Sequence, residues 1–290
     1  EEASVSVEAL GYEPIVHRVA ADGTAEVVLR RAPLALEELV IAPGSYGILE
    51  ASPDLSGAAV TREDIEAIPQ FGDDAFRTLK RMPGVSSDDI STRLNVRGGT
   101  DRDVLVRLDG VELFEPYHLK DLDGALGIVD VQSLGSIDLV TGGFPVEYGD
   151  KSTAIFDMST RKAPPGGTRT TVGMSLSSLS LNSQGRFGGD RGQWLASLRR
   201  GFLEYVLAVG GVEDEMSPAY WDVLARVQYL ATEDHLVAAQ LLYAGDAMAW
   251  TDEATGSRID SDWANGYGWL TWRARLGSRL EATTLLSGGR

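Results

Sequence analysis

Seven stretches in the second half of the chain repeat one pattern, and that pattern leaves few folds open. TRTTVGMSL, LSLNSQGRF, QWLASLRRGF, YWDVLARVQYLA, HLVAAQLLYAG, GYGWLTWRAR and RLEATTLLSG each alternate in polarity, with turn residues between them. Side chains of a strand point to opposite faces with a period of two, so each stretch makes a strand with one apolar and one polar face. Aromatic residues gather near the ends, at Trp194, Tyr220, Trp221, Tyr243, Trp250, Trp263, Tyr267, Trp269 and Trp272. Strands that cross a bilayer show this alternation and these girdles.

Spacing between the stretches supports the same reading. Gly188 to Gly192, Thr232 to Asp234 and Leu276 to Ser278 are short polar turns, whereas Leu203 to Ala219 and Gly245 to Asn265 are long. Transmembrane barrels keep short turns on one side and long loops on the other. Strand parity then requires one more tight turn near Ser177 to Leu179, which gives seven strands. Seven cannot close a barrel around a filling domain, which takes about 22. Open edges are not viable in lipid, so further strands are expected beyond Arg290.

The remaining composition removes whole classes of function. With 43 acidic against 26 basic residues the formal net charge is -17, the opposite of the basic footprint that nucleic acids require. Cysteine is absent, which excludes disulfides and thiolate metal sites. No apolar run of about 18 residues occurs, so no transmembrane helix is expected. No nucleophile elbow, phosphate loop or metal-ligand spacing is present, and neither enzyme activity nor a cofactor is expected.

From the N-terminus, SVSVEALGY, IVHRV and AEVVLRR read as strands around an Ala21-Asp22-Gly23-Thr24 turn. Residues 34–50 form a linker holding the apolar, β-prone run Glu38, Leu39, Val40, Ile41 and Ala42 between Pro33 and Pro43, suited to pairing with a sheet edge in trans. Thr61, followed by Glu63 and Asp64, caps a short helix with Ile65 and Ile68 on its apolar face. A second helix from about Asp73 aligns Ala75, Phe76, Leu79 and Met82 before Pro83-Gly84. The pairs Asp73-Asp74 and Asp88-Asp89 read as caps and turns. Short strands follow: Leu94, Val96, Val104, Val106 and Leu108 alternate with polar residues around Gly98-Gly99 and Asp109-Gly110 turns.

Four fragments in this order, NVRGG (Asn95 to Gly99), VRLDGVEL (Val106 to Leu113), GGFPVEYGD (Gly142 to Asp150) and STAIFDMSTR (Ser152 to Arg161), resemble the plug domain of TonB-dependent outer-membrane receptors. With the flanking segments the resemblance extends from about Leu36 to Arg290. It implies an α+β plug over residues 51–163, then the first strands of an antiparallel transmembrane β-barrel over 164–290, in the outer membrane with plug and N-terminus facing the periplasm. Residues 1–33 look like the last strands of a carboxypeptidase-regulatory-like β-sandwich, whose first strands are expected upstream of Glu1. By the same resemblance Glu38 to Ala42 is the box captured by a TonB-like energy-coupling protein. Arg97, in the Arg-Gly turn, and Arg93 are then expected to lock the plug to glutamates of the barrel wall. The family's second arginine, in an Arg-Gly-Pro turn, is replaced here by Gly142-Gly143-Phe144-Pro145.

The expected activity is energy-coupled uptake of a metal chelate, cobalamin, oligosaccharide or peptide, with outer-membrane lipid and a surface lipoprotein as further partners. A signal-transducing receptor of the same fold and, third, a β-sandwich adhesin or hydrolase are the alternatives. Substrate contacts are expected from loops at Arg97 to Asp103 and Phe114 to His118, chiefly Arg102, Asp103, Phe114, Tyr117 and His118. An acidic loop with Asp246, Asp252, Glu253, Asp260 and Asp262 adds to them, Asp252 and Asp260 first. His118, near Asp121 and Asp123, has no second histidine at ligand spacing and reads more readily as a structural loop residue than as a metal ligand.

Overall fold

The computed structural model describes residues 2–7, 15–20, 56–67, 74–80, 82, 84–87, 91–144, 148–149, 151–210, 216–252, 257–277 and 280–290. The chain divides into two units, 1–41 and 42–290. In the first, β1 (Glu2–Val7) pairs antiparallel with β2 (Ile15–Ala20), setting Val5 opposite His17. The AEVVLRR segment, the Glu38 to Ala42 box and the Asp88-Asp89 pair lie outside the described residues.

The second unit begins with β3 (Ser56–Thr61) and the one-and-a-half-turn helix α1 (Arg62–Ala67). Asp64 accepts hydrogen bonds from the Thr61 backbone N and Oγ1 at 3.0 and 2.9 Å, and its own N lies 3.4 Å from Thr61 Oγ1. This reciprocal cap is the expected start signal, with aspartate in the place of glutamate. In α2 (Ala75–Leu79) Asp74 caps the N-terminus by accepting from Phe76 and Arg77 N, and it also accepts from Gly127 N. The cap thereby ties the helix to a short strand, Leu126–Gly127, some fifty residues away.

Short strands β4 (Val85–Ser86) and β5 (Asn95–Val96) form one ladder. Then β6 (Val104–Leu108) and β7 (Val111–Glu112) form a hairpin across Asp109-Gly110, whose φ values are 46° and 89°. Two left-handed residues in succession are what a tight hairpin turn needs, and Asp-Gly supplies them at little strain. Next come β8 (Tyr117–His118) and β9 (Leu126–Gly127), which pair with each other, then β10 (Leu134–Gly142) and β11 (Ala154–Thr160).

A five-stranded mixed sheet, ordered β3-β10-β11-β6-β7 and parallel only between β11 and β6, forms the body of this inner domain. On one face Ile137, Leu139, Phe156, Met158, Val106 and Leu108 close over Phe76 and Leu79, with the Phe76 and Phe156 rings stacked at 4.8 Å. Truncating such a fully buried phenylalanine costs about 3–5 kcal/mol. The other face carries Leu105, Val140 and Ile155 beside Phe144 and Tyr148, and between them a charged row considered below.

From Arg169 the chain becomes a wall. Strands β12 (Arg169–Met174), β13 (Ser178–Phe187), β14 (Gly192–Gly201), β15 (Met216–Thr232), β16 (His235–Asp252), β17 (Ser257–Arg275) and β18 (Glu281–Gly289) pair in sequence order, every neighbour antiparallel. Between β14 and β15 lies helix α3 (Leu203–Gly210), inside a stretch expected to be loop. The tight turn falls at residues 175–177, where Ser175 N donates to Ser178 O, slightly ahead of the expected place.

One expected loop is not a loop. Gly245 to Asn265 is mostly ladder, since β16 runs on to Asp252 and β17 starts at Ser257. Strands of 18 and 19 residues extend on the order of 60 Å along their axes, more than twice the roughly 25 Å apolar band of a membrane barrel. Past that band both faces meet water, so the apolar period fades while the hydrogen-bond ladder continues.

Across the band, the wall is inverted relative to a soluble sheet. Along β15, Asp222, Leu224, Arg226 and Gln228 are buried while Trp221, Val227 and Tyr229 are exposed; along β16, Gln240 and Asp246 are buried while Val237, Leu241 and Tyr243 are exposed. Charged and amide groups face the inner domain, and apolar ones face out. Trp221 packs on Tyr243 with centroids 5.0 Å apart, and Phe187 stacks on Tyr229 at 6.0 Å. Trp221 and Tyr229 are eight residues apart in β15, on the order of 26 Å along the strand and about 20 Å along the normal of a strand tilted 35–45°, so the two aromatic pairs stand toward opposite sides of the band. Among the described residues no helix is long and apolar enough to cross a membrane, a fact that leaves strands untouched.

Candidate functional site

Three wall strands and one turn of the inner domain converge on His118. Its Nδ1 lies 2.5 Å from Asp246 Oδ1 and its Nε2 3.2 Å from Asp222 Oδ2, and the side chain is 0% exposed. Asp222 Oδ2 also accepts from Arg199 Nε at 2.7 Å, and an Nη2 of the same arginine donates to the Gly127 carbonyl at 2.5 Å. Asp246 Oδ2 accepts from Leu119 N at 3.0 Å. The Tyr220 ring lies 4.8 Å from the imidazole and under the Arg199 guanidinium. Asp222 is thus held from both sides of the seam, and Asp246 from the inner domain by a side chain and a backbone amide.

Alternation explains the placement. Arg199 and Asp222 are register partners across β14 and β15, and Asp246 sits opposite Tyr220, one inward position further along. All three point inward because their odd-even neighbours, Leu198, Trp221 and Ala247, point out. Burial by itself would push the His118 pKa down, but hydrogen bonds to Asp222 and Asp246 and the charge of both outweigh it and leave it raised. With a carboxylate oxygen at each ring nitrogen, the site calls for a proton on both, the imidazolium form. Two cations and two carboxylates sum to zero, the condition under which buried charge is tolerated.

Two further clamps cross the seam. Asp109, in the β6–β7 turn, accepts from Thr160 N and Oγ1 at 2.9 and 2.7 Å, while Arg226 of β15 reaches Thr160 Oγ1 at 2.5 Å and lies 3.9 Å from Asp109. Asp130 accepts from Asn182 Nδ2 of β13 at 2.7 Å and from Ser197 Oγ of β14 at 3.3 Å. Apolar contact completes the joint, because Leu195, Leu224, Leu242, Ala244, Tyr267 and Trp269 of the wall share a core with the inner sheet.

The expected site residues fall into separate places. His118 was expected in a loop; it belongs to β8, is wholly enclosed and has both ring nitrogens bonded to wall carboxylates. Tyr117 is likewise buried, its ring 5.1 Å from that of Phe76. Phe114 is 54% exposed and rests on Tyr267, whose hydroxyl meets the Glu115 backbone. Arg102 and Asp103 lie elsewhere, bonding through their carbonyls to Lys151 and Thr153. Asp260 is exposed and paired with Arg258 at 3.0 Å in β17. Asp252 ends β16, and Glu253 lies outside the described residues.

The two arginines expected to lock the plug make their bonds, among the described residues, inside the inner domain. Arg97 donates to the Thr141 carbonyl at 2.8 Å, and Arg93 bonds Asp101 at 2.6 Å and Asp123 at 3.3 Å; all three partners belong to the inner domain. Arg97, at φ 48° in the Arg-Gly turn, is held to its own sheet. Charge crosses the seam at His118 and Asp109 of the inner domain and at Arg199 of the wall. Asp222, Asp246 and Arg226, the wall partners of His118 and Asp109, lie more than sixty residues beyond the last motif. The usable signal was charge at inward strand positions, Arg199, Asp222 and Arg226, each requiring a partner.

A mixed-sheet domain clamped by charge to the polar face of a wall whose other face is apolar and girdled is the arrangement of a plug seated against the strands of a transmembrane β-barrel. Residues 53–154 match the TonB-dependent Receptor Plug Domain family model, and the seven antiparallel strands follow that segment. No curated protein is close enough to match. Among solved structures, the siderophore receptor PirA from Acinetobacter baumannii superposes with a TM-score of 0.62 at 15% identity, covering 84% of this chain and 41% of that one. A mutant ferric enterobactin receptor PfeA from Pseudomonas aeruginosa, with enterobactin bound, gives 0.60 at 12% over 81% and 41%. The outer membrane transporter YddB from Escherichia coli gives 0.56 at 14% over 80% and 38%. The chain spans about two fifths of the receptors it matches, and at these identities the likeness is one of fold.

Proposed function

We propose that this chain belongs to an outer-membrane receptor that imports a scarce or large substrate by energy-coupled displacement of its plug. The observation that carries the reading is the seam: the plug is joined to the inner face of the wall by three charged or polar clamps and a shared apolar core. Passage along that face requires the joint to open, and opening it needs work from outside the chain. A TonB-like protein acting from the periplasm on Glu38 to Ala42 is the source we assign. A metal chelate is the first substrate class to test, since PirA and PfeA are named for siderophores, with cobalamin, oligosaccharide and peptide next. Phe114 and the Asp260 region stay as candidate contacts, and residues 1–33 as the end of a carboxypeptidase-regulatory-like domain.

The test is capture of the full-length receptor in detergent by the periplasmic domain of its coupling partner, comparing wild type with Val40→Pro. Proline removes a donor from an added strand. Loss of capture with the barrel still folded places the coupling site in the box. Equal capture of both forms refutes that placement, and capture of neither refutes energy coupling through this partner.

A further inference from the structure

On the face of the plug sheet away from the main core, one register row is charged. Asp138 of β10 stands opposite Asp157 of β11, which stands beside Arg107 of β6. Asp138 is 2% exposed and Asp157 8%. Directly opposed side chains on paired strands have Cβ atoms about 4.5–5.5 Å apart, and like charges at that spacing destabilise a sheet. Arg107 is the cation of the row, but its reach is divided. Its Nε is 3.7 Å from Asp157 Oδ1, its Nη2 donates to the Gly110 carbonyl, and its guanidinium lies 4.9 Å over the Tyr148 ring. Asp157 Oδ1 is buried and accepts no hydrogen bond from the described residues.

We propose that Asp138 and Asp157 share one proton across the β10–β11 ladder, and that this proton is a control on how firmly the middle of the plug sheet is held. With the proton in place, the Asp138, Asp157 and Arg107 part of the row carries one negative and one positive charge, with Glu112 exposed at the row's end. Without it, two carboxylates face each other in a site with one divided cation, and the ladder between β10 and β11 weakens along this row.

The surroundings support the assignment. Burial, the largest cause, pushes the Asp157 carboxyl up; Arg107 opposes this, and the charges of Asp138 and Asp109 add to it, leaving the group at about 6. Beyond Arg107 the row ends at Glu112 of β7, and on the far side of Asp138 at the uncharged Ala59 of β3. The nearest same-face neighbours on β11 and β10 are Ile155, Ser159, Ser136 and Val140, none of them charged. Arg161, further along β11, lines a polar pocket with Gln132 and Gln184. A carboxyl raised in the folded state stabilises fully below its unfolded value near 4, and that contribution is lost as pH rises through about 6. The ladder is thus firmer in acid and looser at neutral pH. Nothing in this requires the transport reading to hold.

Hydrogen exchange of the full receptor in micelles tests it. After correction for intrinsic rates, β10 and β11 amides of wild type should open about tenfold or more faster at pH 7.5 than at pH 5. In Asp157→Asn the difference should vanish, with the neutral-pH rate falling to the acid one. Equal protection at both pH values, or a pH dependence that survives in Asp157→Asn, overturns the proposal. Should that variant fail to fold, infrared spectra of aspartate-labelled wild type decide the matter. A protonated carboxyl stretch at pH 5 that is lost by pH 7.5 supports the shared proton, and its absence at pH 5 refutes it.

Discussion

Replacing His118 with alanine removes the one plug cation between two wall carboxylates. Arg199 still holds Asp222 at 2.7 Å, but Asp246 keeps only the Leu119 amide. Breaking a buried ion pair on one side costs about 3–5 kcal/mol, because a charge is left uncompensated. At 1.4 kcal/mol per tenfold, the seam should open about 100- to 4000-fold more often. None of these 290 residues is a cysteine, so Ala125→Cys, in a receptor with any thiol outside them replaced by serine, gives a single thiol at a buried seam position next to Tyr220. Maleimide labelling of that thiol in the full receptor should be slow, and should accelerate by that factor on adding His118→Ala. Pairing His118→Gln with Asp246→Asn leaves no unbalanced charge there and should restore most of the protection. The imidazole's folded pKa is raised, so its contribution is complete below about 6.5 and declines as pH rises through the raised value. Protection, corrected for thiolate fraction, should therefore fail on the alkaline side. An unchanged labelling rate in His118→Ala with the barrel still folded, or loss of protection on the acid side, would refute the reasoning.

Further expectations concern the rest of the joint and the wall. Arg226→Met strands Asp109 and should lower unfolding stability by about 3 kcal/mol, largely recovered when Asp109→Asn is added, as read from denaturant midpoints. Gly99→Ala would put a Cβ 2.1 Å from Thr153 Cγ2; a melting experiment should show a loss of about 1–3 kcal/mol that Thr153→Ser relieves. Leu241→Arg, on the outward face in the apolar band, should cost about 2–4 kcal/mol in refolding into bilayers, far more than the same change at the water-exposed Leu280.

Where structure follows from near neighbours, the sequence was readable. The Thr61 and Asp64 cap, the Asp109-Gly110 hairpin and the alternation of β15 and β16 each depend on residues a few places apart. The seam depends on pairs such as His118 with Asp246, and no local pattern links them. The polar half of each wall strand nevertheless held a clue, since a charge like Asp222 pointing inward demands a partner. Arg97 illustrates the opposite case. A turn motif fixes backbone shape, whereas the side chain's partner depends on what the fold brings near, here Thr141 of the same sheet. The β16–β17 hairpin misled because outside lipid a ladder keeps its hydrogen bonds without its apolar stripe.

The spacing of the His118 cluster also sets an order of events. The plug precedes every wall strand in the chain, and its hairpin and caps close over short separations. Its two carboxylate partners, however, lie 104 and 128 residues downstream. Loop closure over such lengths is slow relative to local pairing, so the plug is expected to fold first and to wait, undocked, until β15 and β16 have been threaded beside it. During that interval His118 is solvated and titrates as an ordinary imidazole, and Asp222 and Asp246 meet water. Final seating is then the step at which the proton is captured, which makes assembly, and not only the finished receptor, sensitive to the pH of the compartment where it takes place.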